Sequence, residues 1–418
     1  MEKLINLNFN PKPPTILHLD LNSCFATIEQ QANPLLRGKP IAVAAYTTPS
    51  GCIIAPSIEA KMLGIKVGMR VKDGRRIYPK LIVLPPDPDK YRSVHLALRR
   101  LLQDYTENLT PKSIDEFVLD LEGCPSLKLG PAAVAKEIKL RIKREIGDWL
   151  TVSIGIGPNR FLAKTASSLK KPDGLEEINC ENYLDVYSRL RLTDLCGIKS
   201  NNLARLNNGG IYTVLEMFKS SVQSLRRAFH SVLGYHWYLR LHGFEIDDVL
   251  FARRSYGNSY ALPDNRETVE QLTPILMKLC EKAGFRMRQA GYKAGGIHTG
   301  LLYRDGAYWH QGRNQPDLLF DSRDIYKAAL AILIRSPYKK PVHTLAVSCF
   351  NLQKEKGQQL SLMENSEKKE NLVSAIDRIN ERWGSFVLTP AQMVGTKDLM
   401  PDRVSFGGIR ELTEAVLD

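Results

Sequence analysis

Over the first 175 residues, apolar runs of strand length alternate with stretches of helical period. Thr15-Ile16-Leu17-His18-Leu19-Asp20 is β-branched and apolar and ends on a carboxylate, which predicts a strand. A helix with the register Phe25, Ile28, Glu29 follows. Residues 31–86 carry Pro34, Pro40, Pro49, Gly51, Gly64 and Gly68 among short apolar runs and read as a small, irregular subdomain. Pro85-Pro86-Asp87-Pro88 closes it, because Pro continues neither a helix nor a central strand. Asp89 is then expected to cap a long helix with the apolar stripe Tyr91, Val94, Leu98, Leu101, Leu102, Tyr105. Residues 117–121 and 151–156 read as strands. Pro131, Val134, Ile138, Ile142 and Ile146 mark a helix that Gly147 stops, and 159–169 is a further helix. The pattern is that of a mixed α/β sheet domain with a subdomain inserted near 31–86.

Residues 185–245 read as all-helical. From 265 to 352 the expected order is helix (269–290), strand (296–303), a second strand near 307–310, helix (325–335) and strand (344–350), a compact α+β module. Residues 353–370 are polar and read as a linker. Leu372, Ile376, Ile379 and Trp383 form a last amphipathic stretch that stops at Gly384. There is no internal repeat.

The 418 residues hold 43% hydrophobic and 25% charged side chains, an ordinary globular profile that argues against a disordered, fibrous or membrane-bundle chain. At about 100–200 residues per domain, two to four domains are expected. The first residues, Met1-Glu2-Lys3-Leu4-Ile5-Asn6, have no apolar signal core, so a cytoplasmic protein without membrane contact is expected. The 7 cysteines are odd in number and lack C-x-x-C spacing, which points to neither a disulfide framework nor a structural zinc site. The net charge of +13 suggests a polyanionic partner, although a solubility surplus has the same signature. Residues 251–350 alone contribute a net +7, with Lys282, Lys293, Arg304, Arg313, Lys339 and Lys340 among their cations.

Candidate chemistry begins with the acids. Asp20 ends one strand, and Asp115-Glu116 opens another directly after Ser113-Ile114. Clustered carboxylates repel unless a cation neutralises them. Hard oxygen ligands with room for water and phosphate suit Mg²⁺. Neighbours on a regular strand face opposite ways, so Asp115 and Glu116 share a site only at a turn or bulge. On pattern alone, solvated strand-end acids are the favoured reading of Asp115 and Glu116.

The surrounding residues form a series of motifs. The run from His18 to Glu29 resembles the first motif of the Y-family, or translesion, DNA polymerases. Ser113-Ile114-Asp115-Glu116 resembles their second, and Ser153-Ile154-Gly155-Ile156-Gly157-Pro158-Asn159-Arg160-Phe161-Leu162-Ala163-Lys164 with Lys171-Pro172-Asp173-Gly174 their third. Leu195-Cys196-Gly197-Ile198 resembles the thumb hairpin, and Arg254-Ser255-Tyr256-Gly257 the entry to the little finger. The order and spacing are the family's over about residues 14–352, nearest to the bacterial DNA polymerase IV or V type.

The resemblance implies a right hand: palm (1–30 and 87–175), small fingers (31–86), a helical thumb with a helix-hairpin-helix-like motif (176–248), an α+β little finger (249–353) and a tail (354–418). It implies two Mg²⁺ ions on Asp20, Asp115 and Glu116 with the Leu21 carbonyl as a further ligand. It places the dNTP triphosphate against the backbone amides of Ser23, Cys24 and Phe25 and against Lys61 and Lys171, with Lys164 a weaker candidate. Phe25 takes the position of the ring that excludes a ribose 2′-OH; by itself it reads as a core residue. Primer–template DNA would meet Lys199, Arg253, Arg254, Ser255, Arg286 and Arg288. Gln359-Leu360-Ser361-Leu362-Met363 resembles the peptide by which bacterial polymerases hold the sliding clamp, with Gln359, Leu360, Leu362 and Met363 as its contacts. A monomer is expected.

Departures from the family pattern are specific. Asn22 stands where Asp is frequent. Ile58 and Lys61 replace the usual Tyr and Arg of the fingers, losing a hydroxyl and a bidentate clamp. Lys199 replaces the second Gly of the thumb hairpin. They motivate a second reading, a catalytically weak polymerase-like protein that binds DNA and the clamp. The retained Asp20, Asp115 and Glu116 argue against it.

Overall fold

The computed structural model describes residues 7–249, 252–337, 339–354, 366–384, 386–396 and 399–400. They form two compact units that divide near Val249. In the first, the strands are β1 (Ile16–Leu21), β2 (Ile41–Ala44), β3 (Ile53–Pro56), β4 (Ile82–Leu84), β5 (Leu109–Pro111), β6 (Glu116–Asp120), β7 (Val152–Gly157) and β8 (Leu175–Glu177). Five of them make one sheet in the order β5-β6-β1-β7-β8.

The period-2 alternation of β1 gives its two faces different duties. Leu17, Leu19 and Leu21 join Phe117, Leu119, Ile154 and Ile156 in a core completed by Tyr91, Leu98 and Ile138 from the helices Pro88–Gln103 and Pro131–Arg141. His18 and Asp20 project from the other face. There the helix Arg160–Leu169 lies directly on β7: a Cβ at Gly155 would stand 2.1 Å from the Ala163 carbonyl oxygen, so only Gly permits this approach. The long helix is capped by Asp87 rather than Asp89. Pro88 occupies its first turn, where a missing N–H costs nothing, and the Asp87 carboxylate accepts from the Lys90 N–H at 3.3 Å.

The insertion is more regular than expected. It holds a three-stranded sheet, β3-β2-β4, with its own core of Ala42, Ala44, Ile53, Ile65, Val71 and Leu81. Strands of three or four residues are too short to show periodicity. Residues 183–241 are helical as expected, packed around Leu206, Leu225, Phe229 and Trp237.

The second unit is an antiparallel sheet of β9 (Ser255–Arg266), β10 (Tyr292–Tyr303), β11 (Tyr308–Leu319) and β12 (Val342–Lys354), in the order β11-β10-β12-β9, packed with the helices Val269–Gln289 and Ser322–Leu333. β9 is absent from the expected elements. Its buried Tyr256, Tyr260 and Leu262 alternate, but Gly257, Pro263 and Asp264 disguise the run. β11 runs nine residues past His310 because an edge strand tolerates polar residues and Pro316. The expected linker is shorter than its polar composition suggests: β12 continues to Lys354, and the helix Ser366–Trp383 begins within it. Residues 359–363 lie outside the described residues. No described helix is long and apolar enough to cross a membrane.

Candidate active site

The antiparallel register of β1 and β6 sets Asp20 directly opposite Glu116. Asp115 precedes β6 in a turn closed by Lys112 N–H on the Glu116 carbonyl at 2.9 Å, and its own carbonyl accepts from the Leu21 N–H at 2.9 Å. The three acids thus meet at the junction of two strands, and the turn lets adjacent residues serve one place.

Each acid has a partner. Lys171 Nζ donates to Asp20 Oδ2 at 2.6 Å, Lys164 Nζ to Glu116 Oε2 at 2.6 Å, and the Ser113 hydroxyl to Asp115 Oδ1 at 2.5 Å. Burial first, then the neighbouring carboxylates of Asp20 and Glu116, push the Asp115 carboxyl up to about 6, against the pull of the Ser113 bond. Burial opposes the charge on Lys164, yet the hydrogen bond and charge of Glu116 hold its pKa above the ordinary lysine value. Lys164 therefore belongs to Glu116 rather than to the triphosphate region. Among the described residues no three His, Cys, Asp or Glu side chains close together as metal ligands. The donor set nevertheless fits a hard cation: it offers three carboxylates, one of which, Asp115, is raised first by burial and then by its two acidic neighbours.

Beside the acids opens a cavity of about 330 Å³ lined by Asp20, Asn22, Ser23, Ile58, Lys61, Met62, Lys171 and Pro172. It gathers residues from three separated segments. The helix Cys24–Ala32 starts directly after the lining residue Ser23, and the first N–H groups of any helix lack intrahelical acceptors. Ser23 adopts φ 51°, the left-handed turn that swings the chain from β1 into this helix. Burial, then Asp115 and Asp20, push the Cys24 thiol far up, so its side chain is inert. Lys61 sits on the helix Ile58–Met62, capped by the Ser57 hydroxyl. Desolvation, then Lys171, holds its ammonium below the ordinary value.

Phe25 is 1% exposed and stacks on Tyr91, ring centroids 4.2 Å apart and 11° from parallel. The Tyr91 hydroxyl donates to Glu29 Oε1 at 2.9 Å, and Lys90 Nζ donates to Glu29 Oε2 at 2.9 Å. The ring is therefore backed by a second, anchored ring. Tyr91 appears in the sequence only as a core position. His18, whose ring is 2% exposed, lies 3.7 Å from Glu116 Oε2; burial, then Lys164, Lys171 and Lys112, push its pKa down to about 3. It is a neutral wedge beneath Glu116, legible only as the residue two before Asp20 on one strand face. His95 is stacked on Phe117, and its Nδ1 meets the Ile114 carbonyl at 3.0 Å, holding the turn that bears Asp115. No sequence signal marks it.

The expected DNA contacts differ in their surroundings. Lys199 begins the helix Ser200–Asn208, after Gly197 at φ 99°. Arg253 lies over the Tyr256 ring at 4.1 Å, Arg254 and Ser255 are exposed, and Arg286 donates to Asn258. Arg288 is engaged within the second unit. Its guanidinium grips Asp377 at 2.7 and 2.8 Å and donates to the Phe320 carbonyl at 2.7 Å, with 13% of the side chain exposed. Those bonds fasten the helix Ser366–Trp383 to the sheet module and leave it no free fork for a phosphate.

The sequence pattern of the impB/mucB/samB family matches residues 19–168, and that of its C-terminal domain matches 253–362. The chain is 33% identical over 384 residues to the DNA polymerase IV of Moorella thermoacetica, covering 90% of this chain and 94% of that one. It is 30% identical over 388 residues to the DNA polymerase IV of Pelotomaculum thermopropionicum, covering 90% and 96%. Among solved structures, a Y-family DNA polymerase chimera of Dbh and Dpo4 aligns with TM-score 0.72 and 25% identity over 81% of this chain and 99% of that one. An insertion ternary complex of Dbh DNA polymerase shares the fold, with TM-score 0.57 and 23% identity over 81% and 99%. With both family patterns in order on one chain and relatives matched along nearly their whole length, the chain belongs to the impB/mucB/samB family and is a DNA-directed DNA polymerase of the Y-family, translesion type.

Proposed function

We propose that the cavity beside Asp20 receives the triphosphate of an incoming dNTP and that Asp20, Asp115, Glu116 and the Leu21 carbonyl hold two Mg²⁺ ions. The observation that carries this reading is the register that sets Asp20 opposite Glu116, with Lys171 and the start of the helix Cys24–Ala32 at the same cavity. Bound there, the ions supply Lewis-acid polarisation of the phosphate and lower the pKa of the primer 3′-OH. The chain's own residues bind and orient. Lys171 and Lys61 offset triphosphate charge, the amides of Ser23, Cys24 and Phe25 donate to phosphate oxygens, and the Phe25 ring, held flat by Tyr91, meets the sugar where a 2′-OH would stand. The primer 3′-oxygen attacks the α-phosphorus and pyrophosphate leaves. Lys171 and Lys164 neutralise Asp20 and Glu116 in the free protein and exchange those partners on loading.

In this reading the five-stranded sheet is the palm, the β3-β2-β4 insertion the fingers, the block 183–241 the thumb, and the second unit the little finger. Lys199, Arg253, Arg254, Ser255 and Arg286 meet the DNA backbone, which gives affinity without sequence reading, as template-directed synthesis requires. Residues 359–363 bind the sliding clamp, and the enzyme works as a cytoplasmic monomer in DNA damage tolerance. The test is primer extension by Glu116→Ala: synthesis is expected to vanish while affinity for primer–template is kept. Extension at the wild-type rate by that variant would overturn the assignment.

A further inference from the structure

Asn22 lies at the cavity but has no task in the chemistry above. It is 4% exposed, and both ends of its amide are engaged. Its Oδ1 accepts from the Asp173 N–H at 2.8 Å, and its Nδ2 donates to the Ser153 hydroxyl at 3.0 Å. Chemistry fixes this orientation, since an N–H must face an oxygen. The Ser153 hydroxyl, on β7 and fully buried, also accepts from the Gly174 N–H at 3.3 Å. The main chain of Asn22 is itself tied to the sheet, its N–H donating to the Thr151 carbonyl at 2.9 Å.

These bonds converge on the turn that carries Lys171. Asp173 has φ 57°, a left-handed conformation that costs a non-Gly residue about 1 kcal/mol unless the surroundings hold it. From outside, Lys139 and Lys143 grip the Asp173 carboxylate at 3.0 and 3.2 Å, and Lys139 also caps the carbonyls of Asp173 and Gly174. From inside, the Asn22–Ser153 pair meets the two N–H groups, and the Ile154 N–H donates to the Gly174 carbonyl at 3.0 Å. We propose that Asn22 is a positioning residue for the nucleotide: its amide, acting with Ser153, sets the 171–174 turn so that the Lys171 ammonium stands at the triphosphate cavity. This rests on the reading of that cavity given above. An Asp at this position also accepts from the Asp173 N–H and can take the Ser153 proton. It would add a buried negative charge to the cavity that Lys171 also lines, whereas the neutral amide leaves that ammonium to Asp20 and the incoming phosphates.

The experiment compares Asn22→Leu, Asn22→Asp, Ser153→Ala, Lys171→Ala and Asn22→Leu/Lys171→Ala in the full chain, by single-nucleotide extension on an undamaged primer–template and by amide hydrogen exchange. In Asn22→Leu, the KM for dNTP is expected to rise about tenfold, the loss of one charge-directing hydrogen-bond pair, with kcat within about threefold. DNA affinity should be unchanged and exchange at Asp173 and Gly174 faster. The double variant should be no worse than Lys171→Ala, because the two act through one group. Asn22→Asp should restore exchange protection and part of KM. Ser153→Ala should show the same split more weakly, which keeps the test open if Asn22→Leu folds poorly. The inference fails if KM stays at the wild-type value in Asn22→Leu while Lys171→Ala raises it, or if the two effects multiply. If Lys171→Ala itself leaves KM unchanged, the cavity reading fails instead. Exchange then decides for Asn22, and unaltered exchange at Asp173 and Gly174 overturns it.

Discussion

Asp115→Asn should make the metal-free protein more stable while abolishing synthesis. The Asp115 carboxyl is raised from its ordinary 3.8 to about 6, chiefly by burial and then by Asp20 and Glu116. At about 1.4 kcal/mol per pK unit, keeping it ionised costs the fold up to about 3 kcal/mol. Solvent in the cleft reduces this, so about 2 kcal/mol is expected. The sign follows from which state binds the proton more tightly. The folded chain does, so the penalty is absent well below pH 4, grows between about pH 4 and 6, and is complete at pH 8. Asparagine removes the charge and can still accept from Ser113. The assay is thermal unfolding in EDTA at pH 8 and pH 4. At pH 8 the variant should melt about 4–8 °C above the wild type, from about 2–4 °C per kcal/mol for a unit of this size. The difference should largely close at pH 4. Adding Mg²⁺ should raise the melting point of the wild type and move the variant little. A variant less stable than wild type at pH 8, or equally shifted at both pH values, would refute the claim that crowded negative charge is stored here for a cation.

Phe25→Ala should raise ribonucleotide incorporation about 10–100-fold relative to dNTP. Tyr91→Ala should raise it less, since it removes only the backing ring, and competition of rNTP with dNTP in single-nucleotide extension measures both. Arg288→Ala breaks a partly buried bidentate pair and should destabilise the second unit by about 3 kcal/mol in urea unfolding, with DNA affinity at fixed salt within about twofold; a large loss of affinity with intact stability would return Arg288 to the DNA surface. Deleting residues 359–363 should remove stimulation by the sliding clamp in primer extension on long templates and leave unassisted extension unchanged.

Much of the palm was legible because its elements are long and locally consistent. β1 shows its apolar, β-branched run, the helix Pro88–Gln103 its apolar stripe, and the helix that starts at Pro131 its stripe and its stop at Gly147. Where the reading slipped, a local rule yielded to tertiary context. β9 and the far half of β11 lie where Gly, Pro and polar residues break the alternation, and it is pairing with β12 and β10 that makes them strands. The start of the helix Ser366–Trp383 is polar because it is fastened by ion pairs, Lys293 to Glu370 and Lys369 to Asp324, rather than by an apolar stripe alone. The pairing of Arg288 with Asp377 is hidden for the same reason: a cation with a partner distant in sequence looks like any surface cation.

From its motifs in order, the sequence by itself determined the family and its polymerase activity and singled out Asp20, Asp115 and Glu116 as candidates, because residue type and spacing are properties of the chain. The tertiary structure decided what those residues face. Register, not spacing, set Asp20 against Glu116, and a turn allowed Asp115 to join them. Only long-range contacts gave Lys164 to Glu116, Tyr91 to Phe25 and Asn22 to the turn of Lys171. Such pairings join segments 48, 66 and 151 residues apart. They depend on how sheet and helices pack, which no local pattern encodes.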